Sequence, residues 1–343
     1  MRDTAQAPDR AAGERHDVRM TESLPINADG FILARDVRSV GRLADLRAAL
    51  LDGAVERVRT GVYRPAVEPD PSLSAPEQWA EAYRGDVRAV AQMLTTPIFT
   101  GHSAIALARL PIVGRWPSEV FVLSKNEFGH RRAGVTSIAR TREVAVESSG
   151  GFAVTGLEFS LIQLCRRAPL AAALTAVDAA IHMSRTRAPA PTTLERVRAE
   201  HERLLPYPRS LRVAAVLERA TPLADTPLET VSRLVIEELG FPAPELQHEL
   251  WLPELGRSAF LDFHWPDYGI GAEADGRGKY LGPGGVETTI DTVLREKDRE
   301  DAVRRQLRGF ARWNWGEAWG RTTLFTKLCG AGLPVVRRPR VLL

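Results

Sequence analysis

The 343 residues, 44% hydrophobic and 26% charged, exclude a disordered chain and a disulfide-stapled peptide, and the length allows two or three domains of ordinary size. Lys plus Arg exceed Asp plus Glu only by 46 to 43, so any grip on nucleic acid has to come from local basic patches rather than bulk charge. Cys165 and Cys329 lack C-x-x-C spacing, which argues against a cysteine-built zinc module and a disulfide framework and fits a reducing, cytoplasmic setting. The longest apolar stretches are broken by Arg or by Asp178, and the N-terminus has no apolar signal region, so neither a membrane span nor secretion is expected.

Residues 1–27 mix Arg, Asp, Glu, Pro and Ala without periodicity and read as a disordered leader, with Met20 an alternative start. Residues 28–66 carry two short helical patterns, Phe31, Leu33 and Val37 and then Leu43, Leu46 and Leu50. Asp52-Gly53 ends the second, and AVERVRTGVYRP reads as two β pieces around Thr60-Gly61. Helix, turn, helix and a basic ribbon outline a winged helix. Seven Arg against four acids lie between positions 31 and 64, which makes Arg42, Arg47, Arg57, Arg59 and Arg64 candidates for phosphate contact. The alternative is a small α+β module whose arginines merely solvate its surface.

A Pro-rich hinge, Pro65 to Pro76, leads into a middle α/β unit over residues 75–185. It opens with an amphipathic helix marked by Trp79, Val87, Val90 and Met93, continues through strand-like SEVFVLS and GFAVTGL, and closes with two helices between Glu158 and Met183. His102 and Ser103 have no partner motif and are assigned to packing. A linker from Arg185 to Thr193 follows, and residues 206–343 form the third unit.

The chemistry lies in SAFLDFHWPDYGIGAEADG, residues 258–276, which reads as a β-hairpin with Leu261, Phe263 and Trp265 on an apolar face. Pro266 to Gly269 supplies the turn. A turn centred between Asp267 and Tyr268 pairs Asp262 with Glu273. Facing carboxylates repel unless something positive lies between them. A hard divalent ion, Mg²⁺ or Mn²⁺, is the simplest such partner. Asp275 adds a third acid, whereas an exposed hairpin would carry these acids only for solubility. Glu229 opens a helix with a buried apolar stripe and is either a further acid of this site or the third member of a Thr226-Pro227-Leu228-Glu229 capping box. The charge-laced segment from Asp291 to Phe310 carries Arg299, and Arg312 follows it, both candidates for phosphate contact.

This order resembles the PD-(D/E)XK restriction-endonuclease-like superfamily, nearest its very-short-patch-repair branch, over roughly residues 224–320: an acidic helix position, a strand with Gln247, Asp262, Glu273-x-Asp275-Gly276, the REKDRED helix and Arg312-Trp313. The front of the chain, with DGAVERVRTGVYRP, FTGHSAIALARLPIVG and VTGLEFSLIQLCRRAP, looks like AbiEi-type antitoxins of type IV toxin–antitoxin systems. The resemblance implies an α+β multidomain protein: an N-terminal winged helix on duplex DNA, a middle α/β domain, and a C-terminal endonuclease-like α/β domain with a mixed sheet. It implies a nucleotidyltransferase toxin as the functional opponent, and Asp262, Glu273 and the carbonyl of Ala274 as ligands of a catalytic metal. The motif expects Lys two residues after the Glu, and Asp275 stands there. Lys279 or Lys297 would then stand in for it, or Asp275 acts as an extra ligand; otherwise the fold has lost its activity and the protein is a DNA-binding regulator alone.

Overall fold

The structure is a computed structural model describing residues 24–183, 189–275 and 286–342. It is α+β, and its described residues divide into two compact units, one made of those up to 107 and of 115–155, the other of 108–114 and of those from 156 on. The division falls after Thr155, inside the segment read from sequence as one middle domain. Among the described residues no helix is long and apolar enough to cross a membrane.

The first unit begins β1 (Ile32–Leu33), α1 (Ala34–Ser39), α2 (Leu43–Leu51), β2 (Val55–Arg59), β3 (Val62–Pro65), with a three-stranded antiparallel sheet in the order β1-β3-β2. Its core gathers Ile32, Val37, Leu46, Ala49 and Val55. Leu24 joins that core, and the Asn27 side chain accepts the amides of Asp29 and Phe31. Ordered chain therefore starts before Ala28, because an apolar residue at 24 finds a core that composition alone could not show; residues 1–23 lie outside the described residues.

The long helix α3 (Ala75–Ala91) starts at a Ser74–Glu77 capping box and packs Tyr83, Val87 and Val90 into a second core. There follow α4 (His102–Leu107), β4 (Val120–Leu123), β5 (His130–Arg132), β6 (Val135–Ile138), β7 (Val146–Ser149) and β8 (Phe152–Thr155). His102 and Ser103 do pack: the imidazole stacks on Phe121, and Ser103 Oγ accepts the Phe121 amide.

In the second unit α5 (Leu157–Cys165), α6 (Leu170–Ile181), α7 (Leu194–Leu204) and α8 (Ser210–Arg219) precede α9 (Pro227–Glu238). Strands β9 (Glu245–Leu252) and β10 (Arg257–Trp265), a 3₁₀ turn at Pro266–Tyr268 and β11 (Ile270–Ala274) form an antiparallel meander. Helix α10 (Val286–Gln306) then crosses over to β12 (Gly309–Trp313), which pairs parallel to β11. The sheet order is β12-β11-β10-β9, and α11 (Trp315–Trp319) and α12 (Thr322–Gly330) close the fold. One parallel connection in an otherwise antiparallel sheet makes it mixed, and the 21-residue crossover helix is what such a connection requires.

The hairpin takes the expected register. Phe263 pairs Ala272, His264 pairs Gly271 and Trp265 pairs Ile270, with Gly269 left-handed (φ 65°) at the turn. The expected single apolar face is corrected. Leu261 clusters with Ala302 and Val303 of α10, whereas Phe263 lies against Trp313, whose indole N–H donates to Ser232 of α9. Strand β10 therefore changes faces at Asp262. On the neighbouring strand Gln247, opposite Asp262, has φ 52°, while the register holds from Leu261–His248 to Phe263–Leu246. Both faces of the central strands are thus covered by helices. At Gly271 an added Cβ would meet the Leu307 side chain at 2.6 Å and the Leu261 side chain at 2.9 Å, so a larger residue here would have to push these leucine ends aside.

Candidate functional site

The site is assembled from the helix ahead of the sheet. Asp178 of α6, 1% exposed, accepts the Thr221 amide, the Thr230 hydroxyl and the Arg233 guanidinium, the last at 2.5 Å. Burial raises its carboxyl above the ordinary value, and Arg233 opposes the shift. These bonds tie α9 to α6. In the sequence Asp178 only interrupts an apolar run, and a lone acid at the centre of such a run is the one signal of this role.

At the start of α9, Thr226 Oγ1 accepts the Glu229 amide at 3.2 Å, and Glu229 accepts the Asp225 amide at 2.9 Å and the Thr226 hydroxyl at 2.8 Å. This is capping, with the return bond one residue earlier than expected. The capping role and the site role coincide, because Gln247 Nε2 donates to Glu229 Oε2 at 3.1 Å and to Asp262 Oδ1 at 3.3 Å. Glu229 is 5% exposed, and burial holds its carboxyl above the ordinary range against those hydrogen bonds.

Asp262 Oδ2 accepts the Ala274 amide at 2.8 Å, which ties β10 to the end of β11 beside Glu273. Glu273 is buried and takes Arg299 Nη2 on both oxygens, at 2.9 and 3.1 Å. Arg312, its partner across the β11–β12 pairing, places a guanidinium nitrogen 3.7 Å from Glu273, another 3.5 Å from Asp275, and donates to Glu300 at 2.9 Å. Contacts thus run from Glu229 through Gln247 and Asp262 to Ala274, and from Glu273 through Arg299 and Arg312 to Asp275 and Glu300. Glu273, Asp275 and Glu300 share the guanidinium groups of Arg299 and Arg312, Glu300 also takes Arg304, and Glu229 and Asp262 are held by Gln247 and backbone amides; carboxylate oxygens of this kind are the donors that hard divalent cations take. Lys279 lies outside the described residues, and the Lys297 side chain is exposed.

Arg299 and Arg312 are therefore placed at the acids. Sequence order alone did not pair them with Glu273, because one reaches it from a helix and the other through parallel pairing after a crossover. In the first unit the candidates divide. Arg47 and Arg57 are exposed, Arg57 donating to Thr60 at 2.8 Å. Arg42 pairs with Asp45 and Arg64 with Glu56. Arg59 is 13% exposed and is held by Asp86 at 3.2 Å and by the Ser118 carbonyl at 2.9 Å.

Compared with models of known protein families and with curated proteins, the chain matches none.

Proposed function

We propose that the protein binds duplex DNA as an AbiEi-like antitoxin and carries a C-terminal endonuclease-like domain that uses Mg²⁺ or Mn²⁺ in the cytoplasm. The observation that carries this reading is the linkage of Glu229 to Asp262 through Gln247 and of Asp262 to the strand end that bears Glu273, set on a helix–strand–strand–strand–helix–strand order. That order is the one on which the resemblance to PD-(D/E)XK enzymes rests. The first unit supports a winged helix through its β1-α1-α2-β2-β3 succession and through exposed Arg47 and Arg57. Phosphate contacts of this kind fix register on the duplex and carry little sequence information.

Asp262, Glu273 and the Ala274 carbonyl would hold the ion, which activates a water and offsets charge on the scissile phosphate when bound. Glu229 and Gln247 orient Asp262, because Gln247 Nε2 donates to both carboxylates. Arg299 and Arg312 balance Glu273 and offer guanidinium groups to phosphate oxygens.

Arg299 on both oxygens of Glu273, with Asp275 at the motif Lys position, favours a second reading: a regulator that grips DNA, opposes a nucleotidyltransferase toxin and cleaves nothing. Supercoiled plasmid incubated with Mg²⁺ or Mn²⁺ decides between the two. Nicking that disappears in Asp262→Ala is expected. Gel shifts without nicking in either protein leave the regulator, and no salt-dependent shift at all refutes both.

A further inference from the structure

Gln247 also adjoins a second cluster, away from the carboxylates. Glu245 and His264 pair across β9 and β10 and so share a face. His248 is three residues from Glu245, and in a regular strand an odd separation would put it on the opposite face. The left-handed Gln247 between them breaks that alternation. The His248 and His264 rings lie 4.0 Å apart between centroids, and Glu245 Oε2 is 3.1 Å from His248 Nδ1 and 3.7 Å from His264 Nδ1. One ligand atom from each of the three residues lies within 4.8 Å of the other two.

Two imidazoles and a carboxylate are the donor set of a borderline transition metal rather than of Mg²⁺. A tetrahedral ion with bonds of about 2.0–2.1 Å separates its ligand atoms by about 3.3 Å, between the two separations found here. His264 is 8% exposed, and its Nδ1 is buried with no hydrogen-bond partner among the described residues, an orphan that a metal would satisfy. Glu245 is exposed and His248 one-third exposed, so the cluster opens to solvent on one side. We propose that Glu245, His248 and His264 form a binding site for a Zn²⁺-class cation, distinct from the oxygen-ligand cluster around Asp262 and Glu273, with water in the remaining position. This site stands whether or not the domain is a nuclease.

The test is a Zn²⁺ titration of the untagged, metal-stripped full chain against a chromophoric chelator, with Co²⁺ absorption as a second readout of nitrogen ligation. One tight equivalent is expected in the wild type and in Asp262→Ala. Loss of an outer partner of a metal ligand costs about 10–100-fold in affinity, so Glu245→Gln and His248→Ala, which remove direct ligands, should each weaken binding by more than about 10-fold. Absence of a stoichiometric equivalent, equal binding in both ligand variants, or loss only in Asp262→Ala would overturn the proposal. Both substitutions are at solvent-facing positions, and circular dichroism identifies a variant that fails to fold, in which case the other carries the test.

Discussion

Removing Arg299 asks how the buried Glu273 is neutralised. The two side chains are 20% and 10% exposed, and both carboxylate oxygens take the same guanidinium nitrogen. Deleting one partner of a buried pair costs about 3–5 kcal/mol. Arg312 remains 3.7 Å away and Arg299 keeps some solvent contact, so Arg299→Ala should cost about 2 kcal/mol. Five of the seven tryptophans lie in the second unit, two of them buried at Trp265 and Trp313, so urea unfolding followed by tryptophan fluorescence reports mainly on it. A double-mutant cycle with Glu273→Gln isolates the pair from other contacts of Arg299. On the metal reading, Mg²⁺ or Mn²⁺ should restore the variant, because an ion at about 100 times its Kd adds about 2.7 kcal/mol. A loss below about 0.5 kcal/mol with no coupling in the cycle would refute the charge compensation. A full loss that neither ion repairs would refute the ion's access to Glu273.

Four further outcomes rest on other contacts. Gln247 bears a left-handed backbone that costs a non-glycine residue about 1–2 kcal/mol, so Gln247→Gly should unfold at higher urea than Gln247→Ala by about 1 kcal/mol; the reverse order would deny the strain. Burial holds the His201 imidazole, bonded to Tyr207, below its ordinary value. The folded state then binds fewer protons, so the wild type's stability margin over His201→Asn should be full above about pH 6.5 and shrink as pH falls through the depressed value; a margin that grows in acid would contradict this. Arg57→Ala should weaken duplex binding and lower the salt slope by about 1 without destabilising the protein. Arg59→Ala should instead cost about 2 kcal/mol of folding stability through Asp86 and Ser118, and an unchanged unfolding midpoint would return Arg59 to the DNA-contact set.

What could be read in advance was local. The Pro266 to Gly269 turn fixes the hairpin register, since a short turn leaves one way to align its strands. The Thr226 to Glu229 spacing marked the start of α9, and the apolar spacing of Val87 and Val90 marked α3. What escaped was set by distant chain. A left-handed Gln carries no compositional sign, yet it stands opposite the point where Leu261 and Phe263 part, one toward α10 and the other toward Trp313, and next to His248, whose ring lies beside His264. The Arg299–Glu273 pair depends on the crossover of α10, and the burial of Leu24 depends on the closure of a core by residues up to Val55.

Anomalous diffraction from crystals soaked in Mn²⁺ is the most direct test of ion binding at these acids. A manganese peak bound by the carboxylates of Asp262 and Glu273 and the carbonyl of Ala274 is expected, with Arg299 drawn back from Glu273. Well-ordered density with Arg299 still on both oxygens of Glu273, and no manganese between the two acids, would contradict it.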